Sequence, residues 1–462
     1  MKKHDTPNFK SNHYATVRII SLSFLAAILA GTVLLMLPVS TASGEWCPFL
    51  TALFTAATSV CVTGLVVVDT FSYWSLFGKV IILLLIQIGG LSVVILWAGI
   101  MARLHKRLGL RSRILIRDYL DLDNMQGISR FTKRIIRAAL FVEGAGAFLY
   151  CLILIPQNGF LKGAGQAVFT SVSAFCNAGI DVFGPDSLIA YQSNLSMNVI
   201  TMLLIITGGL GFFVWFDMIE TFHKCRKTKS GPRIYFDRLQ AHTRLVLSAT
   251  LILIVSGTLL VLAGEFRNPS TIGGMDPAGK ILASLFQSVT FRTAGFSTVP
   301  QQKLTPFTCI AGLFYMMIGG SPAGTAGGIK TVTAAILLLS AAAYIRQHDE
   351  VVIYGRKVSH QLIFKAVATV TVFFIVVILF TELLLLTNDI PPLSAAYEIF
   401  SALGTVGLSR ALTGSLNTAG KVIVILAMYI GRITPISMLL FFSRDNKNKS
   451  AVRHPEGRFL IG

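Results

Sequence analysis

The sequence predicts an all-α integral membrane protein: four tandem helix–pore loop–helix repeats around one pseudo-fourfold pore, with eight transmembrane helices and four re-entrant pore helices. Three observations predict it. The chain is too apolar for a water-exposed globule, its basic residues gather between apolar runs of spanning length, and one glycine-centred pattern recurs in the connections of one side.

Of 462 residues, 53% are hydrophobic and only 13% are charged, with mean hydropathy +0.70. A soluble chain carries roughly a quarter charged residues, so the surplus apolar surface must face lipid. The net charge of +19 invites a nucleic-acid reading. The basic residues lie in clusters between apolar runs, however, and not in a patch interleaved with aromatics, which excludes nucleic acid as a partner and leaves the lipid bilayer. Six cysteines without CxxC spacing give neither a metal site nor a disulfide framework. All eight histidines fall outside the apolar runs, and no Ser–His, paired-Asp or HExxH constellation lies within them. The chain is therefore not read as an enzyme.

Taken in order, apolar stretches run near Ile19–Leu37, Phe77–Met101, Ala138–Ile155, Met197–Phe216, Leu245–Ala263, Phe307–Tyr344, Leu362–Leu386 and Val422–Phe442. The first follows Lys2 and Lys3 and precedes Ser40-Thr41-Ala42, as in a signal peptide. Its charged leader is long, and its length suffices for the ~30 Å hydrocarbon core, so an uncleaved span is expected. Open strands cannot satisfy their backbone groups in lipid, so all eight are read as helices. Lys and Arg number 4 in residues 1–18, 10 in 103–137, 7 in 223–244, 4 in 346–365 and 5 in 444–462, together 30 of the 40. They mark both termini and every second connection as cytoplasmic. The organisation expected is a cytoplasmic N-terminus (1–18), repeats at 19–102, 138–222, 245–345 and 362–443, and a cytoplasmic C-terminus (444–462) in a multi-pass cell-membrane protein. Basic loops at 103–137 and 223–244 and a cytoplasmic loop at 346–361 separate the repeats.

The external connections share one pattern. It reads Ser59-Val60-Cys61-Val62-Thr63-Gly64-Leu65, then Ala174-Phe175-Cys176-Asn177-Ala178-Gly179-Ile180, then Thr290-Phe291-Arg292-Thr293-Ala294-Gly295-Phe296, and last Ala402-Leu403-Gly404-Thr405-Val406-Gly407-Leu408. The glycines are 115, 116 and 112 residues apart, the signature of internal repeats. One such glycine could simply close an external turn; four at near-constant period favour a common function. Backbone carbonyls aligned by left-handed turns can replace the water around a cation. Apolar segments near Thr51–Val60, Gln166–Phe175, Lys280–Thr290 and Ala395–Leu403 read as half-membrane helices aiming their negative ends at that site.

On these residues the chain resembles the Trk/Ktr/HKT potassium-transporter superfamily, most of all the membrane subunit of bacterial Ktr-type uptake systems. Gly404–Ser409, Arg292–Phe296 and Gly319–Lys330 carry the likeness most specifically. The resemblance implies K⁺ as the transported ion, with no covalent cofactor and with Na⁺ left open as a modulator. It also implies a homodimer and a cytosolic ring of nucleotide-binding regulatory subunits. The expected filter is Val62-Thr63-Gly64, Asn177-Ala178-Gly179, Thr293-Ala294-Gly295 and Thr405-Val406-Gly407. Phe291, where a proline is frequent, and Arg410 after the fourth filter depart from the family pattern.

Residues Phe307–Tyr344 are too long for one span and contain Gly319, Gly320, Ser321, Pro322, Gly324, Thr325, Gly327, Gly328 and Lys330. No continuous helix survives that density of glycine and proline. A loop beneath the filter is expected, acting as a gate held by Arg432; a kink, with Arg432 snorkelling to the interface, is the alternative. Arg292 and Glu398 are expected to pair in support of the filter. Two functions compete: a gated, channel-like K⁺ uptake pathway and a strictly coupled Na⁺/K⁺ symporter with alternating access.

Overall fold

The computed structural model describes residues 13–93, 128–228 and 231–434, with isolated positions at 95, 96, 99, 101 and 437. The basic stretch 103–127, most of the first eighteen residues and 444–462 lie outside the described residues. Among the described residues the regular elements are helices and a two-residue antiparallel ladder, Val352–Ile353 with Arg356–Lys357, turned by Tyr354 and Gly355 in left-handed conformations.

One succession occurs four times. A long helix comes first: His13–Met36, Ile128–Asn158, Ala241–Glu265 and His360–Thr387. A short helix follows: Phe49–Cys61, Phe160–Phe175, Pro277–Thr290 and Pro392–Gly404. After the glycine turn comes a second helix: Leu76–Leu91, Leu195–Leu210, Pro306–Met317 and Thr418–Ile433. The four long helices are long and apolar enough to cross a membrane. They keep stripes of large apolar side chains on the outside, such as Leu22, Leu25, Leu29 and Val33 on the first and Leu251, Ile252, Val255 and Leu259 on the third. Such spacing puts one face toward an apolar surrounding.

The short helices do the opposite. From Phe54 to Cys61 every residue is buried, as are Ser171 and the Ser173–Phe175 end of the second and the Ser401–Gly404 end of the fourth. They form an inner layer wrapped by the long helices. Three of the four start beside a proline: Pro48, Pro277 and Pro391-Pro392. The lost N–H is harmless there and the fixed φ suits a first turn.

The second helices extend the expectation of a single interrupted span. Leu76–Leu91 stops at Ser92 (φ 70°, ψ 136°), Leu195–Leu210 at Gly211 (φ 87°, ψ 143°) and Thr418–Ile433 at Thr434 (φ 79°, ψ 136°). A residue with positive φ and extended ψ cannot continue a right-handed helix. At Gly211 the following helix, Phe212–Lys227, departs at 96°. In the third unit the interruption is the whole stretch between Met317 and Thr331, before the helix Thr331–Ile345. The break expected in one span thus occurs in all four. The long helix Ile128–Asn158 is also already helical ten residues ahead of the expected apolar run, taking in Arg130, Lys133, Arg134 and Arg137.

Candidate functional site

The four short helices end alike. Two residues before each glycine the chain turns left-handed, at Val62 (φ 54°), Asn177 (56°), Thr293 (64°) and Thr405 (53°). The glycines are left-handed again, Gly64 at 99°, Gly179 at 63°, Gly295 at 81° and Gly407 at 89°. Between them Thr63, Ala178, Ala294 and Val406 keep ordinary handedness. Alternation of hand turns successive carbonyls to one side of the chain, which neither helix nor strand does. Val62, Thr293 and Thr405 are β-branched, for which a positive φ is strained and persists only where the surroundings impose it.

Those surroundings are visible. In three turns the N–H before the glycine bonds back five residues: Thr63 to Thr58 O (2.9 Å), Ala178 to Ser173 O (2.8 Å) and Val406 to Ser401 O (2.7 Å). This is the Schellman closure of a helix end. In the third turn Ala294 N–H reaches Thr290 O (3.1 Å) instead. A hydroxyl near each helix end then braces the turn. Thr58 Oγ1 accepts from Gly64 N–H and Ser401 Oγ from Gly407 N–H, both at 3.0 Å. Ser173 Oγ donates to Ile180 O (2.6 Å) and Thr290 Oγ1 to Phe296 O (2.5 Å). Sequence reasoning missed these residues, although a hydroxyl six positions ahead of three of the glycines was there to be read.

The turns meet in cyclic order. A Cβ on Gly64 would sit 2.6 Å from Ala178 O, on Gly179 2.6 Å from Ala294 O, on Gly295 2.9 Å from Val406 O and on Gly407 2.1 Å from Thr63 O. Each glycine therefore faces the carbonyl preceding the next glycine, and the fourth returns to the first. All four line the floor of a cavity of about 300 Å³, with Asp69, Asp181 and Asp186 on its wall. Asp276 and Asp389, which lie in the third and fourth connections, do not line it. Half-buried Asp181, in the connection beyond the second turn, is pushed up to about 6 by loss of solvent, with the charge of Asp69 adding to the rise. The Ser187 hydroxyl and the Phe183 N–H (3.2 Å) act against that rise. Arg410 does not line the cavity; its guanidinium reaches Gln302 O (3.3 Å) and Ser394 Oγ (3.5 Å).

On the other side lies the interruption of the third unit. Its neck is closed by Gly319 N–H to Ile329 O (2.9 Å) and Ile329 N–H to Met317 O (3.0 Å). The loop docks on the second unit's helix end through Ser321 N–H to Gly209 O (2.8 Å) and Thr325 N–H to Gly208 O (3.2 Å). The Thr325 hydroxyl reaches Phe175 O (3.0 Å). The Asn177 amide, oriented to donate, shares that carbonyl and takes Ile205 O, each at 3.3 Å. Gly327 lies so close to the fourth turn that a Cβ there would be 2.1 Å from Thr405 Oγ1. Arg432, in the last turn of its helix, donates to Thr325 O (2.6 Å) and to Gly89 O (2.5 Å). It is thus turned inward to main-chain acceptors. Lys330 braces the loop itself through Ala326 O (2.7 Å). Gly320, Gly324 and Gly328 give the room for these approaches: a Cβ on Gly320 would be 2.9 Å from Gly209 O, and Gly328 has φ 65°.

The expected Arg292–Glu398 pair is not formed. Glu398 accepts from Ser409 Oγ (2.7 Å) and from Thr413 Oγ1, hydroxyls of the segment beyond the fourth turn. Arg292 is buried, faces a small recess with Asn177, Gly209 and Gly320, and leaves its Nε without a partner among the described residues. Glu398 lies within the fourth short helix and Arg292 in the third turn, and each is directed to neighbours other than its expected partner.

Residues 2–451 match the model of the TrkH family, cation transport proteins. The chain is 37% identical over 446 residues to the Ktr system potassium uptake protein B of Bacillus subtilis, covering 96% of each. It is 34% identical over 451 residues to the potassium/sodium uptake protein NtpJ of Enterococcus hirae, covering 96% of this chain and 97% of that one. Its fold is similar to the potassium transporter TrkH from Vibrio parahaemolyticus, with TM-score 0.73, 19% identity, and coverage of 96% of this chain and 87% of that chain.

Proposed function

We propose that this chain, which belongs to the TrkH family of cation transport proteins, is the pore-forming subunit of a gated K⁺ uptake pathway in the cell membrane. The observation that carries the reading is the cyclic contact of the four glycine turns, each with the same alternation of backbone hand. A ring of carbonyls of this kind replaces the hydration shell of one alkali ion at a time, a single-site filter. The short helices aim their C-terminal ends at the ring, adding partial negative charge. Buried hydroxyls of Thr63, Thr293 and Thr405, without hydrogen-bond partners among the described residues, supply further oxygen there. Asp69, Asp181 and Asp186 raise the local cation concentration at the external mouth. The membrane potential drives entry with about 2.3 kcal/mol per charge per 100 mV.

In this reading the chain is four repeats, with the short helices re-entrant and both termini cytoplasmic. Gly319–Lys330 is the gate below the filter, held closed by Arg432. The subunit is a homodimer under a cytosolic ring of nucleotide-binding regulatory subunits. The basic ends of Phe212–Lys227 and Pro232–Arg238 suit such docking, as does the sequence 103–127. Expression in cells lacking their own K⁺ uptake tests the function: growth at low K⁺ and concentrative ⁸⁶Rb⁺ entry are expected, and their absence with the protein in the membrane overturns it. The name of one relative couples potassium with sodium. A strictly coupled symporter would give a fixed Na⁺:K⁺ flux ratio and no unitary currents.

Two expectations follow from the site. Asp181 is protonated as pH falls through about 6, so external acidification should raise the K⁺ half-saturation concentration about two- to fivefold through loss of one mouth charge. Asp181→Asn should have the higher value at pH 7.5 and lose its pH dependence between 7.5 and 5.5. Thr58→Val and Ser401→Ala remove the acceptors of the Gly64 and Gly407 N–H groups. An N–H left unpaired costs about 1–3 kcal/mol, and both variants should weaken K⁺ half-saturation by roughly fivefold or more, read from uptake at graded K⁺.

A further inference from the structure

Glu143 is a buried acid that the mechanism above does not use. It lies midway along the long helix Ile128–Asn158, is 4% exposed, and has no ion-pair partner among the described residues. A carboxyl at such depth is retained only where it has work and partners. Its partners come from two other elements. Gln87 Nε2 donates to both carboxyl oxygens, at 3.0 and 3.1 Å. The Cys176 thiol sits 3.8 Å from Glu143 Oε1 and 3.7 Å from Gln87 Oε1. The Ser171 hydroxyl donates to the Glu143 carbonyl (2.7 Å), fastening the short helix at the same level.

These partners are not arbitrary positions. Cys176 immediately precedes Asn177, where the second turn becomes left-handed. Its thiol is clamped from the far side too, since a Cβ on Gly90 would lie 2.5 Å from the sulfur. Gln87 stands two residues before Gly89, whose carbonyl holds Arg432. One carboxyl therefore joins the back of the second turn to the helix end that anchors the arginine. Removing it would free the Cys176 thiol and the Gln87 amide together and leave a void between them.

We propose that Glu143 is a positioning residue for ion selection: through Cys176 and Gln87 it keeps the Asn177 and Ala178 carbonyls in register with the rest of the ring. The proposal rests on the ring being the K⁺ filter. The requirement is a paired acceptor of the right length and not the charge, because a carboxamide can accept from Gln87 Nε2 and donate to Gln87 Oε1.

The test compares K⁺ and Na⁺ uptake by wild type, Glu143→Ala, Glu143→Gln and Gln87→Ala at measured membrane abundance. Glu143→Ala should raise the K⁺ half-saturation and reduce K⁺-over-Na⁺ discrimination, each by about tenfold, with maximal rate per molecule changed less than about twofold. Glu143→Gln should restore both to within about twofold of wild type, whereas Gln87→Ala should share the alanine phenotype. Unchanged discrimination in Glu143→Ala overturns the proposal. Should that variant be missing from the membrane, unchanged discrimination in Gln87→Ala overturns it equally. A wild type that does not prefer K⁺ over Na⁺ overturns the filter reading itself, a result distinct from either.

Discussion

Replacing Gly407 by alanine should reduce K⁺ uptake per molecule by at least about a hundredfold while leaving the protein in the membrane. Two effects combine. The added methyl group would lie 2.1 Å from Thr63 O and 2.9 Å from Gly64 Cα, and both neighbours are main chain. Neither can rotate away as a side-chain end could, so the first turn must shift as a whole. In addition the φ of 89° is a conformation that an L-residue adopts only at a cost of about 1–2 kcal/mol. A carbonyl ring tuned to one ion loses its coordination when one carbonyl moves by a few tenths of an ångström. Gly165→Ala is the matched control. Gly165 is exposed, lies within a short helix and has no atom within 4 Å of a built Cβ, so uptake should remain near wild type. Radiotracer uptake normalised to membrane abundance reads both.

Shortening the interruption of the third unit should have the opposite sign. With residues 321–328 removed, K⁺ flux through the isolated subunit should rise by about tenfold or more. The deletion is geometrically mild, because Gly319 and Ile329 are already bonded across the neck at 2.9 Å. What disappears is the bundle of contacts beneath the ring: Ser321 and Thr325 on the Gly208-Gly209 carbonyls, Thr325 on Phe175 O, and the Arg432 bond to Thr325 O. Arg432→Ala removes the group that ties the loop to the first unit's Gly89. Hydrogen bonds from a charged donor contribute about 1.5–3 kcal/mol each, so this variant should raise flux severalfold even with the loop present. Lower or unchanged flux in both variants would mean that the loop supports the pathway instead of closing it.

The inner layer was the most legible part of the sequence. The four short helices begin within six residues of the expected positions and end within one, because a proline or glycine opens each and a glycine pattern closes it. The second helices were harder. Apolar runs continue past Ser92 and Thr434, and nothing in a hydropathy pattern marks a serine or threonine that will carry a positive φ. Glycine clusters, at Gly89-Gly90, at Gly208, Gly209 and Gly211 and through Gly319–Gly328, were the signal from which a break could be read. The Arg292–Glu398 expectation failed because sequence places Arg292 in the third turn and Glu398 within the fourth short helix without saying which neighbours their side chains meet. Arg432 and Glu143 were both visible as charges within apolar runs. Their acceptors and donors, Gly89 O, Thr325 O and Gln87, come from other units, and periodicity within one helix cannot identify them.

The carbonyl ring is tested most directly by anomalous diffraction from crystals of the protein grown in Tl⁺ or Rb⁺. The expected result is one strong peak enclosed by the four turns, within about 2.7–3.3 Å of main-chain oxygens contributed by all four. Strong peaks found only among the mouth aspartates, or an ion held by the side chains of a single unit, would contradict it.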